Sequence, residues 1–228
     1  MQIIEVDGPG PLLDAVYRDI LTPSFPPVEL CAVGGMARGD NTVTAVVDDD
    51  GTPVAAAVGD WSERSRVQLL SYLAVTPAFR GTGIGGRLLT HVLDAWRARY
   101  APCVVVAEIE HPADHAGSEA YGDPTARARF YARHGAVALD VPYFQPALRP
   151  ADGRYYGMIL ILLHHDGPLS GPALREFMVE YLEMTEGAVG TDAATTALLS
   201  ALDPPGGVRT VPLDDLDAIP RSTDRLST

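Results

Sequence analysis

Cysteine is scarce in this chain. Cys31 and Cys103 are the only two in 228 residues, too few for a disulfide framework, so the cytoplasm is the default compartment. Both sit in apolar stretches, where a buried packing role is the ordinary one. Long apolar runs are missing too. No stretch reaches the roughly 18 residues that suggest a membrane-spanning helix. Met1-Gln-Ile-Ile-Glu-Val-Asp7 lacks the basic region and apolar core of a signal peptide. Positive charge is in deficit, with 17 Lys and Arg against 30 Asp and Glu and a formal net charge of −13. That balance argues against a broad nucleic-acid surface, which needs clustered cations. It suits a cationic or amine partner. No membrane partner is expected, and no internal repeat is visible.

What is present is enough for a full core. Apolar residues make up 46% of the chain, and the length fits one domain with additions, or one domain and a small accessory piece. The most informative stretch runs from Val67 to Leu89. An apolar run ends at Val75, a short loop carries Pro77 and Arg80, and four glycines follow at Gly81, Gly83, Gly85 and Gly86. Ile84, Leu88, Leu89, Val92, Leu93 and Trp96 then fall on one helical stripe. This reads as strand, glycine-rich turn, helix. Glycines let the backbone approach a ligand closely, and a helix N-terminus offers free N–H groups and partial positive charge. Together they suit a phosphate.

Three phosphate loops share that chemistry. A Walker A loop needs Gly-Lys-Ser/Thr, and here Gly86-Arg-Leu88 stands instead. The dinucleotide fingerprint matches at Gly81, Gly83 and Gly86, with Glu108 near the distance of a ribose-binding acid. However, Thr76 to Arg80 separate the strand from the first glycine. The third reading accommodates that loop. Leu73-Ala-Val75, Pro77 and Arg80-Gly-Thr-Gly-Ile-Gly85 resemble motif A of the GNAT (Gcn5-related N-acetyltransferase) family, over a region of about residues 40–165. The resemblance implies that Leu73, Ala74 and Val75 border the pantetheine arm of acetyl-CoA. It implies that Arg80, Gly81, Thr82, Gly83, Ile84, Gly85 and Gly86 cradle its pyrophosphate. The Val75 N–H is then the oxyanion donor.

Further candidates come from the same resemblance. Phe130-Tyr-Ala-Arg-His-Gly135 is similar to the segment whose tyrosine lies near the CoA sulfur, which makes Tyr131 the candidate acid. Ala136 replaces the usual aromatic there, and Asp123-Pro124 stands where an asparagine is common. Ala107-Glu-Ile109 resembles the strand segment that carries the base, which makes Glu108 the candidate. Glu110 lies two residues on and points to the same face. Arg127, Arg129 and Arg133 are candidate contacts for CoA phosphates, or a solvated helix face.

The fold class expected is α/β, a mostly antiparallel mixed sheet of about six or seven strands flanked by helices. Strands are expected at Gln2–Val6, Thr42–Asp48, Pro53–Trp61, Val67–Val75, Cys103–Glu110, Ala136–Val141 and Tyr155–Leu163. Residues 1–186 would form the acyltransferase domain. Residues 187–228 would be a loosely packed C-terminal extension with one helix at Ala193–Leu202. The function implied is acetyl transfer from acetyl-CoA to an amine. The alternative is a non-catalytic acyl-CoA-binding domain, and a homodimer is compatible with either. His111, Asp114, His115 and Glu119 match no zinc spacing, so no metal is expected.

Overall fold

A computed structural model of the chain describes residues 1–36, 39, 41–118, 121–149 and 151–222. It divides into two compact units, residues 1–61 with 68–101, and residues 62–67 with 102–228.

The first unit opens with β1 (Gln2–Glu5) and α1 (Pro11–Ala15), which continues as a π-helical segment over Val16–Leu21. A short α2 (Val33–Met36) follows, then β2 (Thr42–Val47), β3 (Pro53–Ser62), β4 (Val67–Val75) and α3 (Ile84–Tyr100). The strand order is β1-β2-β3-β4, with β1–β2 and β2–β3 antiparallel. The turn joining β2 to β3 is built by Asp48, whose Oδ1 accepts from the N–H groups of Asp50 and Thr52.

All of β2 is buried, because both of its faces are covered. Val43 and Ala45 join Leu13, Val16, Ile20 and Leu21 in one apolar cluster, with Ala56, Val58, Tyr72 and Ala74. On the alternate face, Thr42 accepts a hydrogen bond from the Trp96 indole of α3 at 2.9 Å. Gly59 makes room there, since a Cβ at that position would run into Gln68 and Trp96. Leu88, Leu89 and Val92 are fully buried, and burying each such side chain contributes about 1.5–3 kcal/mol.

The second unit contains β5 (Val104–Glu110), α4 (Pro124–Arg133), β6 (Val137–Leu139), β7 (Met158–His165), α5 (Gly171–Glu186), α6 (Ala193–Ala201) and β8 (Thr210–Pro212). Its strand order is β5-β7-β6-β8, and β5–β7, β6–β7 and β6–β8 are antiparallel. Asp123 caps α4 through the Thr125 N–H at 2.9 Å, with Pro124 in the first turn.

The class is the expected α/β arrangement of mostly antiparallel strands with flanking helices, and the antiparallel pairs exclude an all-parallel dinucleotide-binding sheet. Eight strands are present among the described residues rather than six or seven. The added one is β8, which lies in the stretch read from sequence as a loosely packed extension. In that stretch Leu198 and Leu202 are 0% exposed, and Leu213 and Ile219 are buried. Asp192 caps α6 through the Thr195 N–H and also meets Arg154 at 2.9 Å.

Candidate active site

The glycine-rich loop belongs to the first unit. After β4, a 3-10 turn spans Pro77–Phe79. The Thr82 hydroxyl donates to the Phe79 carbonyl at 2.6 Å, and Arg80 Nε donates back to the Val75 carbonyl at 3.2 Å. Gly81 and Gly83 have φ of 76° and 85°, the left-handed region that side-chain-bearing residues rarely adopt. Gly83 is the N-cap of α3 and has no capping side chain. The N–H groups of Gly81, Gly83, Ile84, Gly85 and Gly86 have no hydrogen-bond partner among the described residues. Gly81, Thr82 and Gly83 are exposed, while Ile84 is 5% exposed and anchors the helix start. The loop is therefore a fixed row of open donors at a positive helix end. Of the strand residues, the Ala74 side chain lies in the apolar cluster. Leu73 and Val75 are partly exposed.

The ionisable candidates belong to the second unit, where Glu108 and Glu110 have separate partners. Glu108 Oε1 accepts from the Tyr143 hydroxyl. Its Oε2 faces Gln145 Nε2 at 3.4 Å and the Tyr181 hydroxyl at 3.5 Å. Tyr143 is fully buried. Burial, then the Glu108 charge, pushes its hydroxyl well above the usual tyrosine value, so it stays a proton donor.

Glu110 is held in an ion pair. Arg127 Nη1 reaches its Oε2 at 2.9 Å, and the Tyr155 hydroxyl lies 3.1 Å from Oε1. Arg127 also donates to the Tyr121 carbonyl at 2.8 Å. Arg127, a candidate for CoA phosphates or for a solvated helix face, has its guanidinium beside Glu110.

Tyr131 sits on α4, 6% exposed. Its hydroxyl has no hydrogen-bond partner among the described residues. Burial raises it to about 12, against a smaller lowering by Arg127. At neutral pH it is a protonated hydroxyl able to donate.

The residues that sequence reasoning missed are Tyr143, Gln145 and Tyr181. None of the three sits in a motif that marks it as a partner of Glu108. The described members of the loop group His111, Asp114 and His115 have separate partners. His111 Nε2 meets the Leu216 carbonyl at 3.1 Å, Asp114 pairs with Arg221 at 2.9 Å, and His115 Nε2 meets the Tyr156 carbonyl at 2.8 Å. Glu119 lies outside the described residues.

Residues 40–135 match the family model described as an acetyltransferase (GNAT) domain. No curated protein matches the chain in sequence. Among solved structures, a protein described as an acetyltransferase of the GNAT family from Bacteroides thetaiotaomicron is similar at 20% identity and a TM-score of 0.57. That match covers 80% of this chain and 99% of the other. The ribosomal-protein-S18-alanine N-acetyltransferase of Escherichia coli matches at 19% identity and a TM-score of 0.50, over 73% of this chain and 97% of the other. The aminoglycoside 6'-N-acetyltransferase of Enterococcus faecium matches at 18% identity and a TM-score of 0.50, over 74% and 100%. At these identities the structures establish likeness of fold. With the glycine loop, the matched family model marks residues 40–135 of this chain as similar to a GNAT acetyltransferase domain.

Proposed function

We propose that the protein transfers the acetyl group of acetyl-CoA to an amine, in the cytoplasm. The observation that carries this is the row of open N–H groups at Gly81, Gly83, Ile84, Gly85 and Gly86, set by the left-handed Gly81 and Gly83 at the start of α3. Such a row suits the pyrophosphate of CoA. In this reading Arg80 and Thr82 brace the loop, Leu73 and Val75 border the pantetheine arm, and the Val75 N–H stabilises the oxyanion.

The chemistry needs an amine freed of its proton and a thiolate given one. Glu108 is the base, directly or through water, and Tyr143, Gln145 and Tyr181 fix its carboxylate. Tyr131 is the acid. The amine nitrogen attacks the thioester carbon, the C–S bond breaks, and Tyr131 gives its proton to the departing sulfur. Glu110, already neutralised by Arg127, is a structural partner. The formal charge of −13 favours a cationic acceptor, which an amine is before it loses its proton.

The test is release of CoA thiol from acetyl-CoA across a panel of amines, alongside thermal protection by acetyl-CoA. Protection together with amine-dependent thiol release supports the reading. Protection with no thiol release from any amine would instead make the protein a binding domain.

A further inference from the structure

The second unit carries a cluster of soft and hard donors far from Glu108. Strands β5 and β7 pair so that Val104 faces His165 and Val105 faces His164. One step further, Cys103 faces Asp166: the Asp166 N–H donates to the Cys103 carbonyl at 3.1 Å. The Cys103 N–H donates to Asp166 Oδ2 at 3.0 Å. Side chains alternate across a strand, and directly opposed residues share a face. Asp166 follows His164 by two residues, one past the end of β7. Cys103 is two from Val105, the partner of His164. All three side chains therefore lie on the same face.

They meet there. The Cys103 thiol, an imidazole nitrogen of His164 and a carboxylate oxygen of Asp166 all lie within 4.8 Å of one another. His164 Nε2 is 3.1 Å from Asp166 Oδ1. Cys103 is 3% exposed, while the side chains of His164 and Asp166 are 18% and 33% exposed. The cluster thus has a buried sulfur and an open polar rim. Nearby, Arg66 Nε donates to the Pro102 carbonyl at 3.0 Å, and His165 Nδ1 lies 2.7 Å from the Gly167 carbonyl.

From this geometry we infer a zinc site at the end of the β5–β7 ladder, with Cys103, His164 and Asp166 as ligands and a water in the fourth position. One thiolate, one imidazole and one carboxylate suit Zn2+, which takes such donors tetrahedrally at about 2.0–2.3 Å. Bringing them onto one ion takes shifts of the order of 1 Å from their present spacing. On binding, the Cys103 thiol releases its proton to solvent and the ion replaces the His164–Asp166 hydrogen bond. Asp166 Oδ2 stays on the Cys103 N–H, an outer hydrogen bond that holds the ligand in orientation. The site is five residues along β5 from Glu108, about 17 Å at a strand's rise. It acts as a clip on the fold and does not depend on the proposed acetyl transfer.

The full-length protein, freed of metal by dialysis against a chelator, tests this with Co2+ and Zn2+. Cobalt should bind at one equivalent with a thiolate-to-metal charge-transfer band. Cys103→Ser should abolish that band and Cys31→Ser should retain it. Zinc should raise Tm by binding the folded state. His164→Gln and Asp166→Asn, both at partly exposed positions, should each weaken zinc by at least about tenfold. A cobalt complex without the thiolate band overturns the site. So does a band that survives Cys103→Ser, or a zinc affinity unchanged in both His164→Gln and Asp166→Asn.

Discussion

Tyr143, fully buried, donates its hydroxyl hydrogen bond to Oε1 of Glu108. This contact fixes the carboxylate proposed to take the amine's proton, and it can be varied without touching the carboxylate itself. Tyr143→Phe keeps the ring and removes the donor. It should lower kcat less than Glu108→Gln does, with acetyl-CoA affinity unchanged, and cost about 1–3 kcal/mol of stability. The Glu108→Gln defect should shrink at high pH, where more free amine is present. Initial rates across pH, with denaturant melts of both variants, check this.

Tyr131→Phe tests the acid. Its hydroxyl has no partner among the described residues, so its loss should disturb packing little. The expected result is a fall in kcat on the order of a hundredfold with KM for acetyl-CoA little changed. Near-full kcat with a verified amine acceptor would mean that the thiolate takes its proton from elsewhere.

Gly83→Asp and Gly85→Asp test the anion cradle. At Gly83, with φ of 85°, a side chain strains the backbone, and at either position it sets a negative charge where the pyrophosphate is proposed to sit. At a ligand concentration of 100 Kd, the wild type should gain about 2.7 kcal/mol from acetyl-CoA. Both variants should lose that protection. A folded Gly85→Asp protein with undiminished CoA affinity would refute the assignment.

Stability should also fall in alkali. Burial raises the Tyr131 hydroxyl to about 12, against a smaller lowering by Arg127, while the unfolded chain releases that proton near pH 10. Between those values the folded state holds more protons, so stability falls as pH rises. The contribution is whole below about pH 10 and is lost by about pH 12. Tyr131→Phe should therefore fall less steeply than wild type over that window, by at most about 2–3 kcal/mol. Denaturant melts from pH 9 upward measure the difference.

The parts legible in the sequence were those set by neighbours along the chain. β4 runs Val67–Val75 as its apolar residues predict, and α3 begins behind the glycines because Gly83 can take a left-handed turn where Ile84 cannot. The partners of Glu108 were hidden, because Tyr143 and Tyr181 lie 35 and 73 residues further on and nothing local marks them as its donors. β8 is three residues long, too short for a periodic signal. Its place beside β6 comes from tertiary pairing. The partner of Arg127 was hidden for a related reason: only the fold brings Glu110 within 2.9 Å.

The Trp96–Thr42 hydrogen bond reaches well past its own surroundings. Trp96 is twelve positions down α3 from Ile84, about 18 Å along the axis. With the indole nitrogen tied to β2 and its ring set over Gly59, α3 is indexed like a keyed shaft. It can neither roll nor slide without breaking that bond or colliding with the strand. The azimuth of the amide row at its far end is thus set by a buried tryptophan about three turns away. A side chain remote from any chemistry thereby becomes a determinant of aim.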